Sequence, residues 1–135
     1  MTDDRFSTAP ISQLVGFDVE PSPHGVDGSI GEAVVRLMCK TQHHNPMGRV
    51  HGGMIAALAD AAMGIAFGRT LLPGEDFSTI DMHVNFMRPI REGMLTAEAA
   101  VVERGLRIGF VRCDIYNPRR KRVATATCTC TVVGK

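Results

Sequence analysis

A charge excess of either sign is the first feature that this chain of 135 residues lacks. Its 15 lysine and arginine residues nearly balance its 14 aspartate and glutamate residues, which leaves a formal net charge of +1. Because no global field favours an anionic partner, we predict binding to neither nucleic acid nor membrane, and any attraction for an anionic ligand must be local. The composition, 44% hydrophobic and 21% charged, is typical of one globular domain.

Long apolar runs and a basic, apolar leader are also missing. The most apolar stretch, residues 54–72, is interrupted by Asp60, Arg69 and several glycines, which makes it a poor transmembrane candidate. The opening residues, MTDDRFSTAP, lack the basic start and apolar run of a signal peptide. We therefore expect a cytoplasmic protein with one domain over residues 1–135, in which residues 1–9 form a flexible N-terminus.

Metal-site spacings and the serine-hydrolase motif are absent as well. Cys128 and Cys130 lie two residues apart in a strand-like run, whereas a zinc site usually shows a two-residue spacer and a second ligand pair. We therefore predict that the four cysteines are buried free thiols. His43, His44 and His51 suggest a metal cluster only weakly, so we predict no metal and no cofactor. No Gly-x-Ser-x-Gly motif supports a serine hydrolase.

Hydrophobic periodicity predicts a short helix, a strand, one long helix and then four strands. The short helix would be capped by Ser7 or Thr8 and stopped by Gly16, and the residues PSPHGVDGS that follow are typical of a turn. Short turns between the last strands predict antiparallel pairing. The predicted ranges are residues 51–71 for the long helix and residues 29–40, 79–88, 94–104, 106–116 and 121–133 for the strands.

The sequence predicts how one strand and the long helix pack. The strand over residues 79–88 is expected to turn Ile80, Met82, Val84 and Phe86 to one side. One broad face of the long helix consists of small residues and one carboxylate: Gly53, Ala56, Ala57, Asp60, Ala61 and Gly64. Glycine lowers helix stability and small side chains leave the packing thin unless another backbone comes close, so either the sheet or a partner helix should pack there.

Three features between residues 45 and 60 suggest chemistry. The Gly52 amide lies at a helix N-terminus, where unpaired N–H groups and partial positive charge suit a carbonyl or an oxyanion. Asn45 offers an amide that could orient the carbonyl or a water, and Asp60 could act as general base or as nucleophile. Partial burial would raise the pKa of Asp60. Taken alone, a mid-helix aspartate often only faces solvent, and His51 is first of all a structural residue bonded to the preceding loop.

The motifs that carry a family resemblance are Asn45-Pro-Met-Gly-Arg-Val-His51-Gly-Gly53, Leu58-Ala-Asp60, the run from Asp81 to Pro89, and Arg104-Gly105. Together they resemble the PaaI-like hotdog thioesterases over residues 10–133. The resemblance implies an α+β hotdog fold, with one long helix wrapped by a curved antiparallel sheet. It implies metal-free hydrolysis of an acyl-CoA thioester. It also implies a homodimer as the minimal active unit, commonly paired into a homotetramer.

The same resemblance assigns roles by position. Asp60 matches the family's acid, Gly52 its oxyanion amide and Asn45 its loop amide, and His51 completes the set. Thr79 falls where relatives hold the attacking water, although its neighbour Ser78 could fill that position and only one of the two can face the site. For the substrate we expect contacts at Gly53, Arg88, Arg104 and Gly105.

The CoA-binding cations, the acyl group and the function itself each have alternatives. Arg107, Arg119, Arg120 and Lys121 are further cations for CoA phosphates, although the last three can simply form a solvated turn. With no tryptophan and one tyrosine, aryl-acetyl, benzoyl-type and medium-chain acyl groups all stay open. A non-catalytic acyl-CoA-binding or regulatory hotdog domain is the alternative function, and a hotdog hydratase would need an Asp/His motif that the sequence does not show.

Overall fold

The computed structural model describes residues 8–22 and 31–134, which form one antiparallel sheet curled around one long helix. The six strands lie in the order β1-β2-β4-β5-β6-β3, and the predicted α+β hotdog fold is confirmed. The elements are α1 Pro10–Val15, β1 Phe17–Val19, β2 Glu32–Cys39, a 3-10 turn Thr41–His43, α2 Gly52–Gly68, β3 Glu75–Phe86, β4 Gly93–Arg104, β5 Ile108–Tyr116 and β6 Arg122–Gly134.

Alternating burial explains why the strands form one sheet with a single packed face. Every second residue of β2 and of β6 is buried against the helix, as predicted, and the residues between them face outward. The inward residues of these two strands are Ala33, Val35, Leu37, Cys39, Ala124, Ala126, Cys128, Cys130 and Val132. All four cysteines are buried free thiols, as predicted.

The start of the chain differs from the prediction in two ways. Strand β1 was not predicted, because three residues are too few to show alternation; it pairs antiparallel with β2 through Phe17 and Leu37. The predicted cap of α1 is wrong, since the N-cap position is Ala9 and makes no side-chain hydrogen bond. Gly16 does end this helix, in the left-handed region at φ 100. The predicted turn over residues 21–29 lies mostly outside the described residues.

Strand β3 is shifted and bulged relative to the prediction. It begins at Glu75, pairs with β6 instead of β4, and skips one residue in its register, so that Thr79 lies opposite Cys130 and Asp81 opposite Thr129. The residue between them, Ile80, has no partner in this register and is 58% exposed, whereas Met82 lies opposite the buried Cys128 and is 37% exposed. The bulge therefore removes Ile80 from the regular alternation that was predicted for it. Periodicity could not show this, because a bulge inserts one residue and changes the alternation.

Helix α2 buries one stripe and leaves the small-residue face only partly covered. The buried stripe includes Leu58, Ala62 and Ile65, whereas Gly53 and Asp60 are exposed in the single chain. The helix has 17 residues. Among the described residues, no helix is both long and apolar enough to cross a membrane.

His43 fastens the loop before α2 to the rest of the chain. Its side chain is 5% exposed. The ring Nδ1 accepts a hydrogen bond from the Lys40 N–H at 3.0 Å, and Nε2 donates to the Val15 carbonyl at 3.0 Å. Its backbone carbonyl accepts from the His51 N–H at 2.8 Å. One buried residue therefore connects α1, the loop and the start of α2.

We predict that His43→Ala lowers the free energy of unfolding by about 2–4 kcal/mol, because it leaves a carbonyl and an N–H without their partner. Urea denaturation measures the change. His83→Ala is the matched control, since His83 is exposed on β3, and it should cost less than about 0.5 kcal/mol. Equal losses in the two variants would show that the buried hydrogen bonds are not the cause.

Candidate active site

The loop before α2, the first turn of α2 and the end of β3 surround a cleft of about 320 Å³. The cleft brings together three residues that the sequence singled out, Asn45, Gly52 and Arg88. Its full lining is Asn45, Arg49, Val50, Gly52, Ile55, Phe86, Met87, Arg88 and Pro89. The site is thus polar where the loop meets the helix and apolar along the end of β3.

The loop holds the Asn45 side chain in one orientation. Its Oδ1 accepts hydrogen bonds from the N–H groups of Met47 at 3.0 Å and Arg49 at 3.1 Å, as asparagine does in turns. The carbonyl end of the amide is therefore occupied within the loop. Its NH₂ end donates to no group in residues 8–22 or 31–134, so Asn45 presents a hydrogen-bond donor at the cleft.

The start of α2 presents a second donor. His51 caps the helix, because its ring Nδ1 accepts from the Gly53 N–H at 2.7 Å. The Gly52 N–H has no acceptor in the part of the chain that the structure describes, and it carries the partial positive charge of a helix N-terminus. A Cβ on Gly53 would lie 2.8 Å from His51 Nδ1, so glycine at residue 53 leaves room for the capping ring.

The hydrogen bonds of His51 are those of a structural residue. Its ring nitrogen is bonded to the helix backbone, and the ring is not among the residues that line the cleft. His51 therefore acts on the site by fixing the N-terminal turn that holds the Gly52 amide.

Asp60 lies away from this cleft within its own chain. From residue 52 to residue 60 the helix advances by about 12 Å, at about 1.5 Å per residue. The carboxylate is on the partly covered small-residue face of α2, where enough protein surrounds it that burial raises the pKa of Asp60 above the ordinary value of 3.8. A raised pKa in a carboxylate on an exposed helix face marks a candidate functional group.

The bulge in β3 decides which of two neighbouring hydroxyls faces inward. Thr79 lies opposite the buried Cys130, and its Oγ1 is 3.9 Å from the Cys130 Sγ. Ser78 lies opposite Thr131 and is exposed. Thr79 is therefore the hydroxyl on the helix side of the sheet, and both Thr79 and Asp60 lie outside the lining of the cleft.

The two candidate arginines, Arg88 and Arg104, lie near opposite ends of α2. Arg88 lines the cleft, and its Nη1 donates to the Arg122 carbonyl at 2.7 Å. Arg104 lies near the other end of the helix, where it donates to the Thr70 hydroxyl at 2.9 Å and to Glu75 at 3.1 Å. Within one chain, the structure therefore does not bring Arg104, or Gly105 beside it, to the cleft.

Two lining residues were not among the sequence candidates. Arg49 lies between Asn45 and the helix, and its guanidinium makes no hydrogen bond or ion pair with any described residue. The Phe86 ring packs over the helix start, with its nearest atom 3.4 Å from the position of a Cβ on Gly52. Arg49 lies within the motif around Asn45 and could have been found from the sequence. Phe86 could not, because its place at the site depends on the end of β3 crossing the start of α2.

Comparison with known proteins gives a consistent result. The family model described as the thioesterase superfamily matches residues 47–124. A provisionally assigned esterase of Halobacterium salinarum is 39% identical over 98 residues, which are 68% of this chain and 64% of that relative. The chain therefore spans somewhat less than two thirds of this relative's length.

Two further proteins are similar over more of their length. The 1,4-dihydroxy-2-naphthoyl-CoA hydrolase of Listeria monocytogenes is 28% identical over 105 residues, 78% of this chain and 85% of the relative. The solved structure of the Escherichia coli PaaI protein, from the phenylacetic acid degradation operon, superposes with a TM-score of 0.85 at 25% identity. That match covers 97% of this chain and 89% of the PaaI chain.

We predict that His51→Ala lowers the free energy of unfolding by about 1 kcal/mol, because the Gly53 N–H loses its capping acceptor. His51→Asn should recover most of the loss, since asparagine is among the best N-cap residues. Urea denaturation of the three proteins measures both effects. Equal losses in the alanine and asparagine variants would show that the Nδ1 bond does not stabilise the helix start.

Proposed function

The chain belongs to the thioesterase superfamily, a family of thioester hydrolases, and on that premise we propose that it hydrolyses an acyl-CoA or aryl-acyl-CoA to the free acid and CoA. The observation that carries the proposal is the pair of unoccupied donors, the Asn45 amide and the Gly52 N–H, at one cleft. A panel of acyl-CoA substrates with detection of the released thiol tests it. Binding without thiol release would favour the alternative, a non-catalytic acyl-CoA-binding hotdog domain.

In this proposal the start of α2 binds the thioester carbonyl. The Gly52 N–H polarises the carbonyl and stabilises the oxyanion that develops when the carbon is attacked. The Asn45 NH₂ group, held by its own loop, orients the carbonyl or the water. Both groups are fixed before substrate arrives, which is the condition under which such donors are most effective.

Asp60 supplies the base or the nucleophile. As a base it takes one proton from water, the hydroxide adds to the carbonyl carbon, and collapse of the intermediate expels the CoA thiolate. As a nucleophile it attacks the carbonyl carbon and expels the CoA thiolate, which leaves an acyl-aspartyl anhydride that water then cleaves to the free acid and the Asp60 carboxylate. The raised pKa favours the first role, because a carboxylate that holds a proton more tightly is a stronger base. Thr79 is proposed to hold the attacking water.

The substrate's two ends differ in chemistry, and the cleft offers a surface to each. The uncommitted guanidinium of Arg49, together with Arg88, is suited to CoA phosphates, and the exposed backbone of Gly53 beside the His51 ring is proposed as a further contact. Val50, Ile55, Phe86 and Met87 provide the apolar lining, so we propose an apolar acyl group. Aryl-acetyl, benzoyl-type and medium-chain thioesters are the classes for the substrate panel.

The distance between Gly52 and Asp60 requires two chains. An oxyanion donor and a base must both lie within about 3 Å of one reacting group, and about 12 Å of helix separates them in one chain. Two antiparallel α2 helices related by a two-fold axis bring the start of one beside the middle of the other. The face of small residues on α2, which is only partly covered within one chain, permits that approach: Gly53, Ala56, Ala57, Ala61 and Gly64. We therefore propose a homodimer as the minimal active unit, paired into a homotetramer.

The geometry of a dimer also bears on the arginine at the other end of α2. Antiparallel helices bring the C-terminal end of one toward the N-terminal end of the other, so Arg104 and Gly105 of one chain can serve the partner's cleft.

A cytoplasmic location is proposed as well, because the four free thiols fit a reducing compartment.

We predict that Asp60→Asn lowers turnover on the order of 10²–10⁴-fold, because the amide keeps the size of the side chain but cannot accept the proton. Initial rates of thiol release from the best panel substrate measure the effect. Asp18→Asn is the control, since Asp18 is an exposed carboxylate on β1, and it should leave turnover unchanged. Near-native turnover in a folded Asp60→Asn protein would exclude Asp60 as base and as nucleophile.

The acidic limb of the pH profile is predicted to lie above the ordinary aspartate value of 3.8. Burial disfavours the Asp60 carboxylate, so the group stays protonated, and inactive as a base, to a higher pH than a free aspartate. The measurement is kcat/KM against pH for the native enzyme and for Asp60→Asn. The limb should be present in the first and missing from any residual activity of the second; an identical limb in both would assign it to another group.

Subunit mixing tests the shared site. Asn45→Ala and Asp60→Asn are each expected to be inactive, but a hybrid dimer carries both changes in one site and a fully native second site. Random pairing makes about half of the dimers hybrid, so about a quarter of native activity should return. If subunit exchange is verified by differential mass labels and no activity returns, the two residues act within the same chain.

A further inference from the structure

The Phe77 side chain covers one end of the small-residue face of α2. Its ring is half-buried and packs against the core, and its Cζ atom lies 3.5 Å from the position of a Cβ on Gly64. Gly64 is one turn beyond Asp60 on the same side of the helix. The open part of this face therefore runs from Gly53 past Asp60 and ends at the Phe77 ring.

Strand β3 places the same ring beside the other residues of the proposed chemistry. Phe77 and Thr79 are successive inward residues of β3, about 7 Å apart along the strand. The residues opposite them on β6, Val132 and Cys130, are both buried. Cys130 in turn lies within electrostatic reach of Asp60. The Phe77 ring thus borders the region in which Asp60 and Thr79 are proposed to act.

A stack of side chains supports the Phe77 ring from within the core. The fully buried Phe67 ring packs against it, with 5.4 Å between the ring centroids and 57° between the ring planes. The Arg104 guanidinium lies over Phe67 at 5.0 Å. Residue 109 is glycine, which leaves space for Phe67, because a Cβ there would overlap that ring. The Phe77 ring therefore has no room to move inward and forms a rigid wall.

In the proposed dimer this wall faces the cleft of the other chain. The antiparallel helices bring Asp60 of one chain beside Gly52 of the partner subunit. Gly64 lies as far beyond Asp60 as the loop before α2 lies before Gly52 of the partner subunit. The Phe77 ring is therefore level with the partner's loop, and it lies across from a cleft that is apolar along the end of β3.

We propose that Phe77 is a specificity-determining residue, whose ring forms the end wall of the acyl pocket and limits the acyl group to aryl or medium-chain size. This inference rests on the proposed function. An acyl group of that size packs between the ring and the apolar lining of the cleft, and burial of its apolar surface favours binding. A longer chain meets the ring, which cannot retreat because Phe67 lies behind it.

A chain-length series of substrates tests the proposal through initial rates of thiol release. Straight-chain thioesters from butanoyl-CoA to tetradecanoyl-CoA are used below their micelle-forming concentrations, and kcat/KM of the native protein should fall beyond the medium-chain members. Phe77→Ala should raise kcat/KM for the first rejected thioester, relative to butanoyl-CoA, by about 10-fold or more, since a methylene that newly fits an apolar pocket has an effect of that size. Phe77→Leu should give a smaller shift in the same direction.

Phe110→Ala is the matched control, because Phe110 is an outward phenylalanine on β5 and is 42% exposed. It should leave the chain-length profile unchanged. Circular dichroism first confirms that each variant is folded, and Phe77→Leu decides if Phe77→Ala does not fold. A merely structural role of Phe77 would lower kcat/KM for all substrates by the same factor. That result, or a native kcat/KM that does not fall with chain length, overturns the proposal.

Binding separates this inference from the proposed function. If the native protein releases no thiol from any acyl-CoA, the proposed function fails, and S-(2-oxoalkyl)-CoA analogues then test the wall. These analogues keep the carbonyl but cannot be hydrolysed, because a methylene separates it from the sulfur. Calorimetric Kd values should increase beyond medium chain length for the native protein and should do so less for Phe77→Ala. The same dependence on chain length in both proteins overturns the role of Phe77.

Discussion

The buried stripe of α2 packs against the inner face of the curled sheet, and every feature of the site depends on that contact. Leu58, Ala62 and Ile65 fill the space between helix and strands, which fixes the direction of the helix axis and therefore the place of its first turn. Because one face of the helix is committed to the sheet, the face of glycine and alanine is only partly covered. The same contact thus positions both the helix start and the surface on which we propose that a second helix packs.

Two histidine side chains hold the loop before α2 and the first turn of α2 in place. His43 bonds the Lys40 N–H and the Val15 carbonyl, and His51 bonds the Gly53 N–H. These bonds take up neighbouring donors and leave the Gly52 N–H and the Asn45 NH₂ group as the donors that face the cleft. Two of the three histidines that first suggest a metal cluster are in this way structural, and their separate contacts explain why they do not converge on one point.

The partly covered face of α2 is the surface on which we propose that a second copy packs. Within one chain the carboxylate of Asp60 and the donors at the helix start lie about two turns apart, so the chemistry proposed for them needs a second copy. The raised pKa of Asp60 in a single chain would increase further as a partner covers it, because burial disfavours the charged form. Assembly would then do more than stabilise the protein, since it would also adjust the base.

The order of the main elements, the inward faces of β2 and β6, and the residues around the start of α2 could all be predicted from the sequence, because each follows from local periodicity or from the chemistry of one turn. Strand β1, the bulge at Ile80, the pairing of β3 with β6 and the approach of Phe86 to Gly52 could not, since each depends on contacts between segments distant in the chain. For the same reason, motif spacing could not choose between Ser78 and Thr79. The sequence by itself determined which groups are available for chemistry; the tertiary structure decided which of them share a cleft, because side chains distant in sequence meet only where the sheet curls around the helix.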